Sequence, residues 1–294
     1  MRVAILGCGY VGLELGRRLL ARGHDVVGVR RSPEGVEEIE AAGFDAVRAD
    51  VTDPEGLSTV PDADALVFAA SSGGRGADAA REVYVEGLET AIDQFSAREH
   101  PPDRLVYTSS TGVYGDHGGD WVDEETPIEP TTEKTRVLAE AERIALESSI
   151  AIDGTVARFS GLYGPERYRL ERYLEGPVTA GYLNMVHRDD AAGAVRYLLE
   201  EDLARGEAVL VSDDEPAEKW AFADWLAEQC GVETPPKRTK EERLDEGDLS
   251  EAARRRILTS KRCSNAKLRE LGYELEYPTF REGYREAVTA YRDR

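Results

Sequence analysis

The fold class this sequence predicts is α/β: a doubly wound parallel sheet with helices on both faces and a smaller C-terminal lobe. Three observations predict it. Short β-branched runs alternate with stretches that carry apolar residues at helical spacing. A glycine-punctuated turn follows the first apolar run directly. The alternation breaks after about Gly161, where Gly, Pro and Tyr crowd together, and then resumes.

In chain order, Arg2 to Leu6, Asp25 to Val29, Asp45 to Ala49, Ala65 to Phe68, Arg104 to Thr108 and Thr155 to Arg158 read as strands. Tyr10 to Ala21, Val36 to Ala42, Ala77 to Ala97 and Thr132 to Ser148 read as helices between them. A strand near Leu183 to Val186, a helix over Asp189 to Glu200 and a strand over Ala208 to Val211 return the chain to the sheet. From Pro216 the pattern gives a helix with Trp220, Phe222, Trp225 and Leu226, then a charged stretch, Thr234 to Ser250, whose Pro235 and Pro236 suggest a mobile loop, and two final helices. The expected division is a dinucleotide-binding domain over 1–160, joined by 183–212, and a substrate-side lobe over 161–182 and 213–294.

Composition excludes several classes of partner. The formal charge of −21 arises from 58 acidic against 37 basic residues, and only six of the latter are lysine. Nucleic acid, which demands a basic face, is excluded. The acid is spread along the chain, as in a hydrated acidic surface adapted to high salt, where screening relieves self-repulsion. No run approaches the roughly 18 apolar residues of a membrane span, so no membrane partner is expected and the expected location is the cytoplasm. Cys8, Cys230 and Cys263 lack the spacing of a disulfide framework or a metal site, so no metal is expected.

Gly7-Cys8-Gly9-Tyr10-Val11-Gly12 has G-x-G-x-x-G spacing between a predicted strand and a predicted helix. The glycines allow a tight turn, close approach of backbone to a pyrophosphate, and close helix–strand packing, while the helix N-terminus offers free N–H groups to phosphate. This is a Rossmann dinucleotide site, with Tyr10 and Val11 in the phosphate turn. Arg30 and Arg31 end the second strand, where an acidic residue would bind the ribose hydroxyls of NAD; their planar forks suit the extra phosphate of NADP, so NADP is expected over NAD. Asp50 and Val51 close the third strand, where a carboxylate suits the adenine amino group. Ala69, Ala70 and Ser71 close the fourth, where small residues let the cofactor approach.

Asp50-Val51-Thr52-Asp53, Ser109-Ser110-Thr111-Gly112-Val113-Tyr114-Gly115, Arg158 to Pro165 and His187-Arg188-Asp189-Asp190-Ala191-Ala192 occur in this order. With these motifs the chain resembles extended short-chain dehydrogenases/reductases, including NAD-dependent epimerases and dehydratases acting on sugar nucleotides. The resemblance implies that Ser110 binds the reacting oxygen and that a Tyr-x-x-x-Lys pair lies on the next helix. Counting back from Glu140, Thr132 stands at the tyrosine position and Arg136 at the lysine position, and no Tyr-x-x-x-Lys occurs in the chain. An aliphatic hydroxyl cannot replace a phenol as an acid near neutral pH, and a guanidinium does not shuttle protons. The resemblance is therefore to an atypical subgroup; helix-paired dimers are common in the family as a whole, so the resemblance implies a homodimer as a candidate partner state.

Thr111, Tyr114, Tyr163 and His187 are the expected substrate-side residues, with Thr111, Tyr163, His117 or water relaying protons. His24 and His100 read as structural. Two functions fit this reading: an NADP-dependent oxidoreductase or epimerase/dehydratase-like enzyme acting on a small polar or nucleotide-sugar substrate, or a noncatalytic NADP-binding sensor or scaffold.

Overall fold

The computed structural model describes all residues except 73–75, 148–151 and 248, together with the side chains of 251 and 252. The helix end expected at residue 148, and residue 248 of the charged stretch, lie outside the described residues.

Seven strands form one parallel sheet: β1 (Arg2–Leu6), β2 (Asp25–Arg30), β3 (Asp45–Arg48), β4 (Ala65–Phe68), β5 (Arg104–Ser110), β7 (Asp153–Phe159) and β12 (Ala208–Val211). Between them in sequence lie the two-residue strand β6 (Trp121–Val122) and the short strands β8 (Gly161–Tyr163), β9 (Val178–Thr179), β10 (Tyr182–Leu183) and β11 (Met185–His187). The sheet order is β12-β7-β5-β4-β1-β2-β3, so the direction of winding reverses between β1 and β4. At such a reversal the helices that follow the two strands diverge, opening a crevice beyond the carboxyl ends.

Alternation along β1 builds two cores. Val3 and Ile5 face α1 (Tyr10–Ala21) through Leu15 and Leu19, and α8 (Arg188–Glu200) through Val195 and Leu198. Ala4 and Leu6 face the opposite layer, with Leu88 of α5 (Gly87–Ser96) and Val137 and Ala141 of α6 (Glu133–Glu147). A two-residue side-chain period puts successive residues on opposite faces, so near-continuous apolar strands are what a sheet covered on both sides requires.

A third core joins Leu170, Leu174, Met185, Phe222, Leu226, Phe280 and Tyr284 under the C-terminal segments. It draws on α7 (Glu171–Leu174), α9 (Lys219–Cys230) and α13 (Phe280–Gly283).

Several elements depart from the sequence reading. The helix expected over Ala77 to Ala97 is divided into α4 (Ala77–Arg81), a π-helical turn (Glu82–Glu86) and α5, and the wide turn brings the Tyr84 phenol within 3.3 Å of the Ser72 amide. The strand expected near Leu183 to Val186 is two short strands, β10 and β11. The stretch read as a mobile loop, Thr234 to Ser250, holds β14 (Lys237–Arg238), paired with β9, and α10 (Lys240–Asp245), which carries a full capping box at Thr239 and Glu242. The prolines and the charge suggested a loop there, but capping and pairing with a distant strand supply the missing order. Among the described residues no helix is long and apolar enough to cross a membrane.

Candidate active site

The glycine loop sits where β1 ends. Gly7 has φ +81°, and a Cβ there would lie 2.2 Å from the Ala70 Cα, so both the turn and the close passage of the β4 strand end exclude a side chain. A Cβ on Gly12 would lie 3.0 Å from Ile5, which fixes how closely α1 packs on β1. Gly9 caps α1 without any side-chain hydrogen bond, leaving first-turn amides open to an anion.

Around this loop lies a cleft of about 910 Å³. Gly7, Gly9, Tyr10, Arg30, Arg31, Asp50, Val51, Ala70 and Ser71 of the expected cofactor residues line it. Val11 does not: its side chain is buried against the sheet, leaving only its amide to a ligand. Ala69 likewise packs against the core and is outside the lining.

Arg30 donates to the Cys8 carbonyl at 3.0 Å and lies 3.5 Å from the Glu38 carboxylate, so one guanidinium edge is fixed beside the glycine loop. Arg31 is about two-thirds exposed and 3.9 Å from Asp50. The Asp50 carboxylate is engaged with Thr52 through its amide and hydroxyl.

Three arginines that the motif reading missed complete the cleft. Arg17 lines it from α1, and Arg167 and Arg188 flank the Tyr10 ring at 4.0 and 5.6 Å. The Tyr10 phenol donates to the Pro165 carbonyl at 3.0 Å. Nothing local in sequence ties Tyr10 to Arg167; only the fold does. Cys8 is buried behind the loop, and burial pushes its thiol up to about 12, so it serves as packing.

A second cleft, of about 960 Å³, opens at the carboxyl end of β5. Ser110 and Thr111 line it. Ser110 Oγ accepts from the Gly112 amide at 3.1 Å and caps the 3₁₀ turn Thr111–Tyr114, which leaves its hydroxyl proton free for a ligand. Both clefts are on the same edge of the sheet, with β4 alone between β1 and β5.

The expected Thr132 and Arg136 do not reach that cleft. Thr132 accepts from the Thr135 amide at 3.2 Å as the α6 cap, and Arg136 is more than half exposed and paired with Glu133. Thr131 and Thr135 stand in the wall instead, because the helix begins at Glu133 and its first turn rotates positions 132 and 136 away.

Three expected substrate residues also lie outside the linings of both clefts. Tyr114 is fully buried and its phenol receives a hydrogen bond from Arg158 at 2.7 Å. Arg158 in turn meets both oxygens of Glu142, which also accepts from Ser109 at 2.6 Å. The phenol of Val-Tyr-Gly thus belongs to a buried network behind β5. Tyr163 stacks on Tyr284 at 4.9 Å within the third core, and burial holds its phenol well above the ordinary range. His187 caps α8, accepting from the Asp189 amide at 3.2 Å, and packs 3.8 Å from Tyr277. Burial pushes it down to about 4, so it is neutral near pH 7 and outside both clefts.

Asp190, its neighbour, accepts from Tyr273 and from the amides of Glu276 and Tyr277, pinning the C-terminal segment to α8. His117 meets the Tyr114 carbonyl at 2.9 Å and does not line the substrate-side cleft. Among the described residues no His, Cys, Asp or Glu cluster could hold a metal ion.

Sequence reasoning missed the other wall of the second cleft. Lys261, only 7% exposed, precedes β15 (Arg262–Cys263) and donates to the Gly115 carbonyl at 3.0 Å. Asn184 and Lys219 line the same space. The only available signal was the scarcity of lysine in the chain.

Residues 7–202 match the family model described as NAD(P)H-binding. Protein YeeZ of Escherichia coli is 33% identical over 285 residues, covering 94% of this chain and 96% of that protein. A 3-diazoavenalumate denitrifying reductase from a Streptomyces species is 29% identical over 96% of this chain and 99% of its own length. A Methylobacillus flagellatus structure, provisionally assigned as an NAD-dependent epimerase/dehydratase, superposes with a TM-score of 0.76 at 32% identity, covering 100% of this chain and 99% of that one. Similarity of this extent, on a sheet that reverses beside a glycine loop, places the chain in the NAD(P)H-binding family of epimerase/dehydratase-like short-chain dehydrogenases/reductases.

Proposed function

We propose that this protein is an NADPH-dependent oxidoreductase of the reductase or epimerase/dehydratase type, acting on a small polar substrate, nucleotide sugars being one such class. The observation that carries this reading is the adjacency of the two clefts: a phosphate-binding glycine loop and a free serine hydroxyl open on one sheet edge, two strands apart, or roughly 10 Å at ordinary strand spacing. The glycine loop and the α1 N-terminus would hold the pyrophosphate, and Arg30 and Arg31 the adenosine phosphate. Bound NADPH supplies hydride. Ser110 orients the reacting oxygen by donating its hydroxyl proton, and the lobe over 161–182 and 213–294 closes the substrate side. Turnover of NADPH against a panel of carbonyl compounds and sugar nucleotides, in molar salt, tests the reading.

The placement of Thr132 as a cap and Arg136 in solvent favours a second reading, a noncatalytic NADP-binding sensor. Tight NADPH binding with no turnover across the panel selects it.

Cofactor choice rests on Arg30 and Arg31. Arg30→Asp is expected to weaken NADP binding about 10- to 100-fold while leaving NAD affinity unchanged or improved, because a carboxylate repels the extra phosphate and accepts from ribose hydroxyls. Fluorescence titration of both cofactors checks this, and an unchanged NADP affinity removes the NADP assignment.

The surface charge carries a second expectation. We propose adaptation to high salt in a cytoplasmic setting: thermal unfolding midpoints should rise between dilute buffer and molar KCl, as screening relieves the repulsion of a −21 chain. Equal midpoints in the two media would remove that proposal.

A further inference from the structure

The substrate-side cleft has a charge opposite to that of the molecule. The chain carries −21, yet seven Lys and Arg side chains and no Asp or Glu appear among the described residues lining this cleft. Arg238 and Arg243 are neutralised by Glu246. The two lysines are not. The Lys261 ammonium is buried and spends one donor on the Gly115 carbonyl. Asp116, the carboxylate whose charge acts on it, is taken by the amides of Ser260 and Gly118 at 2.7 and 3.2 Å.

Lys219 lies over Gly181, its Nζ 3.3 Å from where a Cβ would sit, and the charges around it are those of Lys240 and Arg172. Glu218, beside it, is occupied in capping α9 through the Ala221 amide at 2.9 Å. Burial holds both lysines below their ordinary values, and at Lys219 the neighbouring cations add to it. Gathering desolvated cations without carboxylates costs stability in the free protein and is offset when an anion binds. Walls of one sign also focus the field on the cleft.

We infer that Lys261 and Lys219 hold an oxyanion group of the substrate, a phosphate ester or a carboxylate, in the cleft whose other end is Ser110. This rests on the reading of that cleft as the substrate site. Ser110 and Gly115 bracket a single 3₁₀ turn, so the Gly115-bound ammonium stands on the order of 10 Å from the serine, the length of a small polar molecule. The reacting oxygen at Ser110 and the anionic group at the lysines then fix the two ends of the substrate, and with them its direction in the cleft.

The test is calorimetric titration of the full-length, NADPH-loaded protein with inorganic pyrophosphate and, separately, with citrate, at constant ionic strength. At least one probe is expected to bind, with Lys261→Met and Lys219→Met each weakening it about 10-fold, Lys→Arg at either position restoring most of the loss, and NADPH affinity unchanged. Tighter pyrophosphate identifies a phosphate-bearing substrate; tighter citrate identifies a carboxylate. Should Lys261→Met fail to fold, the partly exposed Lys219 still decides. The inference is overturned if neither probe binds, if both methionine variants bind like the parent, or if a probe binds only to protein without NADPH, which would put it in the cofactor cleft. Lysine-dependent binding without NADPH turnover would overturn the enzymatic reading and leave the anion site standing.

Discussion

Ser110→Ala is expected to lower kcat about 100-fold, on the scale seen when one hydrogen-bond donor is removed from developing negative charge in a dry site. The Km for NADPH should stay within about twofold, because Ser110 lines the second cleft and the residues proposed to hold the cofactor line the first. The alanine also removes the cap of the Thr111–Tyr114 turn, at a cost of about 1 kcal/mol. Steady-state kinetics beside a denaturation curve separates the two effects. A kcat unchanged by the substitution would show that the serine is only a cap and would remove it from the reaction.

The second large effect is on stability. Glu142 is almost wholly buried and satisfies Arg158 through both oxygens and Ser109 through one. Glu142→Ala leaves a buried guanidinium with the Tyr114 phenol as its remaining side-chain partner, and about 3–5 kcal/mol of unfolding free energy should be lost. Glu147→Ala, five residues on in the same helix, breaks the exposed Arg143 pair and should cost less than about 1 kcal/mol. Urea unfolding of the two variants at one salt concentration makes the comparison. Similar midpoints would show that the Arg158–Glu142 pair contributes no more than a surface pair.

The network also explains a limit of the motif reading. The segment Ser109 to Gly115 was recognisable as a unit, but its residues serve two compartments. Ser110 and Thr111 face the cleft, while Ser109 and Tyr114 turn inward to Glu142 and Arg158, residues 33 and 44 positions away respectively. Sequence spacing places residues at the end of a strand. It does not say which side of that strand a buried arginine will claim.

The helix after this segment shows a related limit. Counting back from Glu140 puts Thr132 and Arg136 at the positions of the usual acid and cation, but helix phase is set by where the cap falls. With Thr132 as the cap, the residues turned to the cleft are Thr131 and Thr135.

What the sequence determined by itself was the part whose physics is local. Residue periods of two and 3.6 gave the alternation of strands and helices, and the glycines at 7, 9 and 12 marked a turn that only a missing Cβ permits. The cations at 30 and 31 were legible because they end a strand beside that turn. The tertiary structure alone decided the composition of the second cleft, where Ser110, Lys219 and Lys261 arrive from segments more than 100 residues apart at the extremes. It also decided that Tyr114, Tyr163 and His187 are packed away. Burial and charge pairing are properties of neighbours brought together by folding, and a side chain's chemistry is set by those neighbours rather than by its place in the chain.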